Sequence, residues 1–297
     1  MKISAIVSDY DGTLCPTSSL YSNNYIPQDL YNILFDISKC IPIGIISSKD
    51  FNFIGPNVHF AKIISCIMGV ETFIFLQKDN EELVDYSFGD HKEILDLKEL
   101  KNEIRKNGLT RYYINQKENV FQNSSVLERL SSVITKNFND IKIFKKYTYR
   151  EKHLAGISID YRHLLNWENF KFTIEPRILD KIQEFIKIQS LSTNNFHIQS
   201  YLTHPFIDVY SVHYNKGNIL TSIRSLLKLG NDKKILYLGD SENDNSAFKK
   251  ADLSINIKSD ERIDTKLDSH YTLEFNELSY FLLKLQNENF NFTSMSI

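Results

Sequence analysis

Ser8-Asp9-Tyr10-Asp11-Gly12-Thr13-Leu14 closes the apolar run Ile3 to Ser8, and its reading decides the rest of the chain. A continuous apolar run ended by Asp-Gly is the pattern of a short buried strand and a turn. Residues two apart in extended chain point the same way, so Asp9 and Asp11 can approach one site together. Gly12 then permits a tight turn. Two adjacent carboxylates repel unless a cation lies between them or one is protonated. Either state serves chemistry: Asp9 as nucleophile and metal ligand, Asp11 as general acid and base. The same residues could also form nothing more than a solvated acidic turn.

Outward from this stretch the chain alternates. Pro27 to Lys39 reads as a helix, with Asp29 complementing its N-terminal dipole and Leu30, Ile33, Leu34 and Ile37 on one face. Strands are predicted at Ile41 to Ile46 and Ile63 to Met68, which makes the start of a parallel, Rossmann-like α/β sheet. The character shifts after Gly89. A charged amphipathic helix is predicted over 90–107, capped by Gly108, then strands near 111–115, 141–149, 156–161 and 195–201. Helices are predicted near 124–136 and 175–189, completing a small α+β domain. Buried-strand style returns at Phe206 to Tyr210, followed by a helix from Lys216 to Leu229 ended by Gly230. Strands at Ile235 to Leu238 and Leu253 to Ile257 and a helix near 274–287 complete the pattern. The expectation is an α/β core, 1–88 and 205–297, interrupted by an inserted domain, 89–204.

Three further loops carry polar chemistry beside these elements. Ser47, after the strand Ile41 to Ile46, offers a hydroxyl and loop amides to a phosphoryl oxygen, though Ser-Ser after a strand is commonly just a turn. Asn215-Lys216-Gly217 opens a helix, where a cation is unfavourable without an anion; helix amides plus an ammonium make a phosphate site. Gly239-Asp240-Ser241-Glu242-Asn243-Asp244 places acidic and amide groups in one short loop. Magnesium takes hard oxygen ligands and keeps several waters, so one or two carboxylates here plus Asp9 would suffice.

Composition narrows the partners. Lys plus Arg total 35 against 37 Asp plus Glu in 297 residues, so no excess positive field favours nucleic acid or an anionic membrane. No run reaches the roughly 18 apolar residues of a membrane span, and the N-terminus is too short in apolar residues for a signal peptide. A cytoplasmic monomer or small homo-oligomer acting on a small molecule is the expectation. Cys15, Cys40 and Cys66 lack metal-like spacing and read as small buried hydrophobes.

In this order and strand context the four sites resemble the signature of the haloacid dehalogenase (HAD) superfamily. Asp9 to Leu14 matches its DxDGTL motif, Ser47 its second motif, Lys216 its third, and Asp240 with Asp244 its GDxxxD. The resemblance covers about 1–88 and 205–297, and the insertion lies where subclass IIB members place a C2-type cap. It implies a phosphatase in which Asp9 attacks phosphorus and carries the phosphoryl group. Asp11 protonates the leaving alkoxide and then activates water. Mg²⁺ is held by Asp9, the Asp11 carbonyl and Asp240, with Asp244 direct or through water. Ser47, Lys216 and Asn243 contact the phosphoryl oxygens.

In the insertion, Arg150-Glu151-Lys152-His153 and Gly156 to Arg162 resemble the cap of trehalose-6-phosphate phosphatases, with Asp160 where that family usually has His. Lys152, Tyr161 and Arg162 are the substrate contacts it implies. Asp208 and Tyr210 stand in place of that family's Glu and Arg. Ser47-Ser48-Lys49 instead resembles mannosyl-3-phosphoglycerate phosphatases. The loop 239–244 is similar to theirs, to sucrose-phosphate phosphatases and to Cof-type enzymes. A sugar phosphate is therefore the implied substrate, trehalose 6-phosphate first. A phosphomutase and a catalytically silent phosphate-binding protein are the other classes.

Overall fold

The chain is described by a computed structural model over residues 1–16, 25–75, 109–150, 152–164, 167–189, 196–202, 204–258 and 267–293. Strand β1 (Ile3–Ser8) is central because its side chains are apolar on both faces. Ala5 and Val7 pack with Ile46, Ile63, Ile219, Leu220 and Ile223 on one side. Ile3 and Ile6 pack with Leu30, Leu34, Ile37, Phe281 and Leu285 on the other. The helices supplying those layers are α1 (Gln28–Ser38), α5 (Lys216–Leu226) and α7 (Leu278–Asn287).

Around β1 lies an eight-stranded sheet that also holds β2 (Ile43–Ile46), β3 (Ile63–Cys66), β4 (Glu71–Phe75), β5 (Leu109–Ile114), β10 (Lys234–Gly239), β11 (Leu253–Lys258) and β12 (Tyr271–Glu274). Its order is β12-β11-β10-β1-β2-β3-β4-β5. Strands from β12 through β3 are parallel, while β4 and β5 extend the edge in antiparallel fashion. The loops leaving β1, β2 and β10 therefore open at one end of three neighbouring strands, where open α/β sheets place their sites. Two short helices, α2 (Phe51–Ile54) and α6 (Asn245–Phe248), lie beyond β2 and β10.

A second sheet, order β6-β7-β9-β8, is wholly antiparallel: β6 (Lys142–Tyr147), β7 (Leu154–Asp160), β8 (His197–Ser200) and β9 (Phe206–Tyr210). Helices α3 (Lys117–Asn137) and α4 (Trp167–Ile188) close one of its faces through Leu127, Leu130, Ile134, Ile178 and Ile182 against Ile157, Ile159, Ile207 and Val209. The opposite residues of the same strands, Lys146, Ser158 and Asp208, form a polar face.

Two strands sit on the other side of the division from the expectation. Leu109–Ile114 completes the larger sheet, because Tyr112 and Ile114 alternate into the main core beside Phe73. Phe206–Tyr210 belongs to the smaller sheet. Its core-like run reflects a central position, with Ile207 and Val209 under the cap helices. Helix α4 also begins earlier than expected and runs through Pro176. Ile174, Ile178 and Ile182 pack on the cap core, which outweighs the lost backbone hydrogen bond. Helix α5 ends at Leu226, with the stop made by Lys228 at φ 55°, not by Gly230. Leu229 N–H donates to the Arg224 carbonyl and Lys228 N–H to that of Ser225, a Schellman pattern. Of the cysteines, Cys15 and Cys66 are buried and Cys40 is exposed. The helix expected at 90–107, its Gly108 cap and Glu151 lie outside the described residues. Among the described residues no helix is long and apolar enough to cross a membrane.

Candidate active site

The loop after β1 turns at Gly12 (φ 79°), with Leu14 N–H donating to the Tyr10 carbonyl at 2.9 Å. That leaves Asp9 buried at the strand end and Asp11 partly open to solvent. Lys49, from the loop after β2, stands 3.9 Å from Asp11. The Ser47 hydroxyl, fully buried, accepts the Lys49 N–H at 3.1 Å and so shapes that loop.

Lys216 opens α5, whose N-cap Asn215 accepts the Asn218 N–H. Its ammonium folds inward, 2.9 Å from Asp9 Oδ2 and 2.8 Å from Asp244 Oδ1. Gly217 permits the approach: a Cβ there would meet the Ser246 carbonyl oxygen at 2.3 Å. Burial alone would lower the Lys216 pKa, but Asp244 and Asp9 outweigh it and hold the pKa above the usual lysine value.

Asp244 is the most heavily hydrogen-bonded group. Lys216 and the Tyr237 hydroxyl (2.6 Å) donate to Oδ1. The backbone N–H groups of Asp240 (3.1 Å) and Ser241 (3.2 Å) donate to Oδ2. Asp240 accepts from the Thr13 hydroxyl at 3.2 Å, a partner that sequence reasoning missed. Asn243 accepts from the Ser241 hydroxyl at 3.0 Å and stands beside the Tyr201 hydroxyl of the cap.

One carboxylate oxygen from each of Asp9, Asp240 and Asp244 lies within 4.8 Å of the others, all three residues being buried. Their charge exceeds that of the one buried ammonium beside them. Burial, only partly opposed by Lys216 and reinforced by Asp244 and Asp11, pushes the Asp9 pKa up to about 7. The all-oxygen donor set and surplus negative charge fit a hard divalent cation. Because both Asp244 oxygens already have protein donors, direct ligation of a cation would fall first to Asp9 and Asp240.

The expected cap contacts are dispersed. Tyr161 is fully buried on the Ile157 and Ile159 side of β7, its hydroxyl bonded to Glu175 and Lys171. That position spends it on packing, because the period-two alternation turns it away from the polar face. Arg162 bonds Asp160 at 2.8 Å and lies over Phe206. Lys152 is exposed on the β6–β7 hairpin, its ammonium over Tyr149. The cap residues that do reach the core site are others. Tyr210 stands beside Ser48, Tyr201 stands beside Asn243, and Leu202 N–H donates to Glu242. The alternation of Ser158 and Asp160 with Ile157 and Ile159, and of Asp208 with Ile207 and Val209, was the available sequence signal for that face.

The family model of haloacid dehalogenase-like hydrolases matches residues 6–276, and the chain belongs to that family. Among solved structures, the chain is similar to the C-terminal domain of C. albicans trehalose-6-phosphate phosphatase (TM-score 0.68, 14% identity, covering 97% of this chain and 93% of that one). It is also similar to a trehalose-6-phosphate phosphatase related protein (TM-score 0.62, 15% identity, 96% and 98% covered). A third is a HAD subclass IIB sugar phosphatase (TM-score 0.52, 12% identity, 97% and 100% covered). No curated protein matches in sequence.

Proposed function

We propose that this chain, a phosphatase by its family and its neighbours, hydrolyses a small sugar phosphate through an aspartyl-phosphate on Asp9, with trehalose 6-phosphate as the leading substrate. The observation that carries the reading is the buried Asp9–Lys216–Asp244 cluster at the end of β1, with Asp11 beside it on the more open side. An ionised Asp9 has its Oδ2 held by Lys216, which aligns the carboxylate and leaves its other oxygen to attack. Asp11 would protonate a leaving alkoxide and then take a proton from water, a role that its partial exposure supports. Lys216 and the groups near Ser47 would balance charge on the transferring oxygens, since phosphoryl transfer depends mainly on alignment and charge stabilisation. Asn243 would orient the same group. Asp9, the Asp11 carbonyl and Asp240 would hold Mg²⁺, with Asp244 behind them. When bound, the ion supplies positive charge to the phosphoryl oxygens.

The cap would comprise the smaller sheet with α3 and α4, joined to the core by the segments before Lys117 and after Tyr210. The trehalose-6-phosphate phosphatases among the similar structures support trehalose 6-phosphate over sucrose 6-phosphate and Cof-type substrates. The test is phosphate release from a panel of sugar phosphates with and without Mg²⁺, alongside Asp9→Asn. The expected result is Mg²⁺-dependent release that Asp9→Asn abolishes, highest on one disaccharide phosphate. Equal, weak turnover of all of them would remove the trehalose assignment, and release that survives in Asp9→Asn would remove the nucleophile.

A further inference from the structure

Outside the catalytic cluster, two imidazoles face one another where the smaller sheet hands the chain back to the larger one. His197 begins β8 and is paired in register with Tyr210 of β9, against whose ring it stacks at 6.2 Å and 20°. His213 lies between the end of β9 and Lys216, in the segment that carries the chain into α5. The two rings stand 5.0 Å apart, centroid to centroid, with their planes crossed at 77°. His213 is exposed and His197 is partly buried. Neither imidazole hydrogen-bonds or ion-pairs with another described residue, so the protein leaves their ring nitrogens uncommitted. Burial and the neighbouring His213 lower the His197 pKa, with Asp208 opposing them, so its ring is neutral near pH 7 and keeps a lone pair to offer. Two imidazoles on one tetrahedral ion, each nitrogen about 2.0–2.1 Å from the metal, place their ring centroids roughly 5 Å apart.

We propose that His197 and His213 form a second metal site, for a borderline transition-metal ion such as Zn²⁺, and that an ion bound there pins β8 to the segment leading into Lys216. Imidazole nitrogen suits zinc, copper and nickel, whereas the oxygen set of Asp9, Asp240 and Asp244 suits a hard cation such as Mg²⁺. Donor chemistry therefore sorts the two kinds of ion between the two sites. Two protein ligands are one fewer than a catalytic zinc site holds, and water fills the remaining positions. The expected affinity is accordingly micromolar, that of a reversible occupant. The site stands on its own geometry, and only its effect on turnover rests on the phosphatase reading. That effect follows from position. Lys216 holds Asp9 and Asp244, and a substrate must pass between the smaller sheet and the catalytic loops. Restraining the segment that joins them slows the opening on which entry and release depend.

The experiment titrates Zn²⁺ against a chromogenic chelator in excess Mg²⁺, which keeps the acidic cluster filled. It compares the unaltered chain with His197→Gln, His213→Gln and, as a control, the exposed His59→Gln. The expected result is one micromolar Zn²⁺ site that His59→Gln leaves unchanged. Each of the other two substitutions should weaken it at least about tenfold, the lower end of what losing even an outer partner of a metal costs. Cu²⁺ in place of Zn²⁺ should show nitrogen coupling from two imidazoles by electron paramagnetic resonance, and from no more than one in either variant. Phosphate release in the same buffer should fall several-fold as the site fills. It should not fall in His213→Gln, where an exposed side chain is replaced without loss of packing. Millimolar binding, an equal loss in His59→Gln, or binding unmoved by both pair substitutions would leave a plain ring contact and overturn the site. A filled pair with unchanged phosphate release would overturn the restraint. Absence of phosphate release before any Zn²⁺ is added would instead count against the phosphatase reading, with the binding result measured independently of it.

Discussion

Lys216 begins a helix, where its charge opposes the helix dipole, and yet its ammonium is buried between two carboxylates. The two contacts explain the cost: the lysine offsets charge that Asp9 and Asp244 could not otherwise carry out of water. Lys216→Met should therefore lower phosphate release by about 100-fold or more, the usual loss when one charge-stabilising donor is removed from a site. A fall of only a few-fold in steady-state turnover, with the fold intact by circular dichroism, would show that Lys216 is structural. At this scale the grouping of Asp9, Lys216, Asp240 and Asp244 was legible because each lies in a short motif beside a strand end or helix start. Thr13 and Tyr201 were not. Their partners, Asp240 and Asn243, lie far along the chain, and only the folded register brings them together.

Helices α5 and α6 approach closely because Gly217 lies at their contact, where its N–H donates to the Ser246 hydroxyl at 3.0 Å. An added methyl would press on backbone, which yields less readily than the end of a side chain. Gly217→Ala should cost about 1–3 kcal/mol, the range for overpacking a well-filled contact, and displace Lys216 with it. Urea unfolding measures the first effect and phosphate release the second. An unchanged midpoint together with full activity would mean that the two helices separate freely. Element positions were readable wherever apolar periodicity was continuous, as in β1 and α1. Helix ends were less so. Helix α4 continues through Pro176 because packing outweighs propensity, and Lys228 takes the left-handed position usually given to glycine. The sheet to which β5 and β9 belong was hidden for a similar reason, since strand pairing is set by distant partners.

At the scale of the whole molecule, the cap meets the core away from the active site as well as over it. The β6–β7 hairpin reaches down to the larger sheet, where Tyr149 packs edge-on against Phe51 and Phe73. Glu71 on β4 accepts the Tyr149 N–H at 2.7 Å and the Tyr112 hydroxyl, both at Oε1, while its other oxygen has no partner among the described residues. Burial raises the Glu71 pKa to about 7; Tyr112 and Tyr149 oppose the rise, as does Lys152 at longer range, and Asp50 adds to it. The folded chain thus holds a proton on Glu71 that the unfolded chain, near 4.5, has released. Between those values folding takes up a proton, so this contribution to stability is full below about 4.5 and lost as pH rises to about 7. Above that it stays lost, and the ionised carboxylate weighs on the cap–core contact. Glu71→Gln removes the charge and keeps an acceptor for Tyr149. Relative to the unaltered chain it should gain about 1–3 kcal/mol at pH 8 and almost nothing at about pH 4. Denaturant midpoints at the two pH values decide it: equal pH dependence in both proteins would show that Glu71 does not couple protonation to the docking of the cap.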